Sequence, residues 1–194
     1  MTSEDIIELP PELKTEGMEV DLAIDVVFVN NEAFLHTLDR RLKNTSLVVL
    51  GTTQKGENYN KDVLYAGIDE VLRVYNKVGI YVKTIHADHE FKPLFNDLED
   101  KWEVTLNFSN PGEHVPDIER ENRTLEERFR VALNRLPFRL IPKVMIHYLE
   151  LKIERNRSLF PRSTGISKYF APYTILRKKQ IDFKKEFGIS FGEY

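Results

Sequence analysis

Between Val20 and Val29 apolar and polar positions alternate. Val20, Leu22, Ile24, Val26 and Phe28 fall at period two and share one face of a predicted strand. Asp21, Ala23, Asp25 and Val27 share the other. Asn30-Asn31 is a turn signal. Residues 33–38 and 45–50 predict two further strands, completing an antiparallel meander. After a polar loop over 51–60 the period changes. Leu64, Ile68, Val71 and Tyr75 are spaced as one face of an amphipathic helix of roughly four turns. Gly79 closes it. Ile80–Ile85 predicts a strand, Pro93–Lys101 a short helix and Glu103–Phe108 another strand, before Asn110-Pro111-Gly112 breaks the chain. Pro116 suits the first turn of a charged helix whose Ile118, Leu125, Phe129, Ala132 and Leu136 keep to one side. Pro137 and Pro142 bracket a junction. Val144–Ile153 predicts one more packed helix, and the chain beyond Arg155 is basic, aromatic and irregular.

The resulting order is three strands, helix, strand, short helix, strand, helix, helix. It predicts an α/β fold with a mixed sheet, a three-stranded antiparallel meander plus two further strands, flanked by helices. That order resembles the RNase H-like fold. The expected division is a flexible acidic lead over 1–19, a core over 20–158 and a basic extension over 159–194. The 194 residues suit one domain and a tail, and 41% hydrophobic content is enough for a core. No apolar run reaches the ~18 residues of a membrane span, so no membrane partner is expected. The first residues lack the basic-then-apolar order of a secretory signal. The absence of cysteine excludes disulfides, thiol catalysis and cysteine-ligated zinc, and suits a reducing compartment, nuclear or cytoplasmic. Charge is uneven: residues 1–120 hold 12 Lys/Arg against 23 Asp/Glu (net −11), and residues 121–194 hold 16 against 8 (net +8). An acidic body with a basic arm is one reading, and an ordinary surface with internal pairing is the other.

Three constellations could carry chemistry. Gly51-Thr52-Thr53-Gln54-Lys55-Gly56-Glu57-Asn58 has the glycine spacing of a phosphate loop. However, Glu57 stands where a lysine should meet phosphate, so it reads as a connector. His86 and His89 flank Asp88, but with no cysteine and no second paired histidine motif they read as hydrogen-bonding groups. The carboxylates are stronger candidates, because a charge inside an apolar strand is costly unless compensated. Asp25 sits inside the first strand, Asp88 just past the strand ending at Ile85, and Glu119 at the opening of a helix. Converging carboxylates there would bind hard divalent cations through oxygen. Asp21 shares the face of Asp25 and is a rival for the first position.

Three stretches resemble the integrase core of copia-type retrotransposons, particularly divergent elements. The first is Ile24-Asp25-Val26-Val27-Phe28-Val29-Asn30 with Phe34-Leu35-His36-Thr37. The second is Val82-Lys83-Thr84-Ile85-His86-Ala87-Asp88 with Glu90-Phe91-Lys92-Pro93-Leu94. The third is Glu113-His114-Val115-Pro116-Asp117-Ile118-Glu119-Arg120 with Asn122-Arg123-Thr124-Leu125. A weaker similarity runs through Gly165-Ile166-Ser167, Ala171-Pro172-Tyr173-Thr174 and Ile181–Lys185 to Tyr194. The resemblance implies Asp25, Asp88 and Glu119 as catalytic and metal-binding acids. It also implies two Mg2+ or Mn2+ ions, DNA as partner (element ends and target), and a homo-oligomer. The implied reaction is 3′-end processing and strand transfer by a core fragment or decayed copy. Arg120, Arg123, Arg130, Lys178 and Lys179 are the expected DNA contacts, with a solvated helix face as the plain alternative. Two other functions compete: an inactive integrase-derived binding or interaction module, and an RNase H-like nuclease.

Overall fold

The computed structural model describes residues 7–52, 60–109, 115–138, 140–188 and 191. A five-stranded sheet in the order β3-β2-β1-β4-β5 forms its middle layer. The strands are β1 (Met18–Val29), β2 (Glu32–Asp39), β3 (Thr45–Thr52), β4 (Ile80–Ala87) and β5 (Thr105–Phe108). β1, β2 and β3 form the antiparallel meander, while β4 runs parallel to β1 and β5 parallel to β4. The α/β mixed sheet read from the sequence is the one observed.

Helices cover both faces. α1 (Lys61–Lys77) links β3 to β4, because chains that return in the same direction need a crossover. It ends with Gly79 at φ +79°, the left-handed conformation that glycine adopts without strain. At Gly67 the helix comes so close to β2 that a methyl group would lie 3.3 Å from Leu35 Cδ2. α2 (Phe95–Trp102), preceded by a 3₁₀ turn over His89–Leu94, links β4 to β5. On this side Val20, Leu22, Ile24 and Val26 of β1 pack with Leu64, Ile68, Val71 and Tyr75 of α1 in the main core. Leu9, Leu13 and Ile175 join the same core, so residues 7–17 lie against the body, with Ile7 N donating to Lys178 O.

The opposite face carries α3 (Pro116–Asn134) and α4 (Lys143–Ser158). Val27 and Phe34 pack there against Leu125, Phe129, Ile146 and Leu149. The alternation of β1 therefore separates two cores rather than core from solvent, which is why both of its faces contain apolar residues. Ala23, fully buried, lets Ile118 of α3 approach the sheet closely. α4 extends past the expected Ile153 to Ser158, because Glu154 and Arg157 are buried partners and not the helix's exposed end. The tail adds two short helices, α5 (Pro172–Arg177) and α6 (Phe183–Phe187). Its aromatics divide. Phe170 packs on the main core, Tyr169 is exposed, and Phe183 and Phe187 stack with Phe160 at the surface.

Candidate active site

β1 and β4 are parallel, and their last paired couple is Ala23 with His86. Asp25 and Asp88 each stand two residues beyond it, so they lie level, Asp25 within β1 and Asp88 just past the end of β4. Neighbouring strands are about 4.8 Å apart, close enough for two carboxylates to feel each other. Burial pushes the Asp25 carboxyl up to about 6, and the charges of Asp88 and Glu90 push it the same way. The amide of Val26, 2.8 Å from Oδ1, and that of Asn122 act against the rise. Asp88 Oδ1 accepts from Ser109 Oγ at 3.1 Å. Burial, then Asp88, also raises Glu90. Of the two aspartates on this face of β1, Asp25 shares the field of Asp88. Asp21 is instead one of the charges acting on His86.

α3 crosses this end of the sheet. Its first turn is tied down by Arg40 Nε on Asp117 Oδ2 at 3.1 Å, and Asp117 and Glu119 suit the positive end of a helix. One turn after Glu119, Asn122 projects onto the strands and its Nδ2 donates to Asp25 Oδ2 at 2.6 Å. Asn122 Oδ1 lies 2.5 Å from Nδ1 of His36. His36 is the direct cross-strand partner of Asp25 on β2, so the two side chains share a face. Burial, followed by the charges of Arg157 and Arg162, lowers His36 to about 4. Behind it stands Glu154 of α4, held by Thr45 Oγ1 and by Arg157 Nη1 at 2.9 Å, with burial raising its carboxyl to about 7. Arg157 also bonds Glu121 of α3. A buried polar chain thus runs from Asp25 through α3 and β2 into α4.

The expected acids are therefore distributed as follows. Asp25 and Asp88 are brought together. Glu119 is half-buried, one turn from the residue that grips Asp25. Among the described residues, no group of three or more His, Asp or Glu is set to hold a metal ion. His86 lies 3.4 Å from Asn107, and His89 packs edge-on to Phe108. The Gly51–Asn58 loop falls largely outside the described residues, as do Glu113 and His114. Arg120, Arg123 and Arg130 are exposed on α3. Lys178 is instead paired with Glu16, and Lys179 is half-buried. Asn122, His36, Glu154 and Glu90 had no assigned role in the sequence reading. The signal for Asn122 was its place in the apolar series Ile118, Leu125, Phe129, where a polar residue must have a buried partner.

No protein-family model and no curated protein matches the chain. Among solved structures, the catalytic core domain of BIV integrase is similar with a TM-score of 0.51 at 14% identity. The match covers 81% of this chain and 93% of that one. The chain has the fold of an integrase catalytic core. In that fold Asp25 lies on the central strand, and the α3 helix presents Asn122 to it. No described helix is long and apolar enough to cross a membrane.

Proposed function

We propose that the chain is a metal-dependent polynucleotidyl transferase of the integrase type that acts on DNA. The observation that carries this reading is the placement of Asp25. It is a carboxylate inside the central strand, raised by burial and its neighbour Asp88 and gripped by the helix that carries Glu119. Two carboxylates held side by side at a cost are stabilised by a cation, and their oxygens suit a hard one such as Mg2+ or Mn2+. Asp25 and Asp88 would hold the ion, with Glu119 completing the set from α3. When bound, such ions activate an attacking hydroxyl and stabilise the leaving oxygen of a phosphodiester.

The chain's own residues supply the rest. Val26 N and Asn122 Nδ2 each hold one oxygen of Asp25, which fixes the carboxylate. Ser109 fixes Asp88. Arg120, Arg123 and Arg130 on the exposed side of α3 would neutralise DNA phosphates. The copia-type affinity, the integration reaction and self-association follow from the sequence resemblance and belong to the same proposal. A second reading is an integrase-derived binding module without metal chemistry. A strand-transfer assay on a short duplex in Mn2+, with Glu119→Gln as control, separates the two. Joined product that disappears in the variant supports the enzyme. No product from the wild-type chain, or equal product from both, supports the module.

A further inference from the structure

We propose that His36 is a positioning residue: its Nδ1–H fixes the amide of Asn122 so that the NH2 group faces Asp25. The inference rests on the functional reading only in its metal-binding arm.

An ionised carboxylate only accepts hydrogen bonds, so the Asn122 atom 2.6 Å from Asp25 Oδ2 must be the NH2 nitrogen. The other end of the amide is then an acceptor, 2.5 Å from His36 Nδ1. An acceptor there requires the proton on Nδ1. The reversed amide would aim its oxygen at Asp25 and its NH2 at the imidazole, and would need the other tautomer. Histidine tautomer and asparagine orientation are therefore one two-state element. His36, Asn122 and Glu154 are all buried, so water cannot substitute for a lost partner. His36 Nε2 makes no hydrogen bond: Glu154 Oε2, 3.7 Å away, is beyond hydrogen-bonding distance. Thr45 and Arg157 hold that carboxyl and so close off the back of the imidazole. In sequence, His36 stands beside Thr37 in the otherwise apolar stretch Phe34-Leu35-His36-Thr37-Leu38. It is placed opposite Asp25 by the hairpin register.

The test has two arms. In the first, 15N NMR of the imidazole in the full chain reads the tautomer without metal. A proton-bearing Nδ1 and a bare Nε2 are expected; a bare Nδ1 overturns the proposal. In the second, Mn2+ affinity is compared for wild type, His36→Leu, His36→Asn, Asn122→Ala and the double variant that combines His36→Leu with Asn122→Ala. Folding of each is checked by thermal unfolding. His36→Leu should weaken Mn2+ binding by about 10- to 100-fold, the usual effect of removing a group that orients a metal ligand. His36→Asn, which can place an N–H near the Nδ1 position, should restore most of it. In the Asn122→Ala background the His36 change should add nothing. A His36 effect that persists without Asn122, or equal binding by His36→Leu and wild type, overturns the proposal. If the wild-type chain binds no Mn2+ the functional reading fails, and the tautomer alone decides the role of His36.

Discussion

Asp25→Asn removes a charge that the fold holds at a cost. The Asp25 carboxyl titrates near 6 when folded, against 3.8 for a free side chain. A raised carboxyl means that the folded chain binds more protons than the unfolded one between those values. The stability associated with this group is therefore fully present below 3.8 and lost as pH rises through 6. The gap corresponds to about 3 kcal/mol above pH 7. Asparagine escapes that cost but keeps one acceptor for two donors, Val26 N and Asn122 Nδ2. One lost hydrogen bond offsets about 1 kcal/mol. The variant should thus be about 2 kcal/mol more stable than wild type at pH 8, a Tm rise of about 4–8 °C for a chain of this size. Near pH 3.5 the advantage should vanish or reverse. Urea unfolding of both proteins at the two pH values, without divalent cations, measures it. A variant less stable at pH 8, or a difference that does not change with pH, would refute the reasoning.

Three other perturbations probe the same account. Glu150 is fully buried with no hydrogen bond on either oxygen, and burial with Glu154 and Glu126 nearby raises it to about 8. Its contribution is lost as pH rises from 4.5 through 8, so Glu150→Gln should be clearly stabilising at pH 8 and nearly neutral at pH 4, read by unfolding. Arg157→Met should cost about 3–5 kcal/mol, because it leaves Glu154 and Glu121 without their shared partner; chemical denaturation would reveal it. Arg120→Ala with Arg123→Ala should weaken duplex DNA binding and lower the slope of log affinity against log salt by about 2, measured by fluorescence anisotropy.

The layout of the sheet was legible because β1 alternates and α1 keeps a helical period, and each follows from local chemistry. Asp25 and Asp88 were legible for the same reason: one interrupts an apolar strand and the other follows one. What escaped was tertiary. His36 reads as one of several polar residues in its strand, and nothing local reveals that the hairpin sets it against Asp25. Glu154 and Arg157 lie beyond the predicted end of the last helix at Ile153, and no spacing in sequence shows that Arg157 meets Glu121 of α3. Lys178 read as a DNA contact, but the return of residues 7–17 over the body brings Glu16 to it. Glu119 was legible as a helix-opening acid.

The central claim is that Asp25, Asp88 and Glu119 form one cation site. Mn2+ binding followed by electron paramagnetic resonance tests it most directly, on the wild-type chain and on Asp25→Asn, Asp88→Asn and Glu119→Gln. The account predicts bound Mn2+ in the wild type and sharply weaker binding in all three variants, each still folded. Wild-type protein that leaves Mn2+ free, or an Asp25→Asn chain that binds it as tightly as wild type, would contradict it.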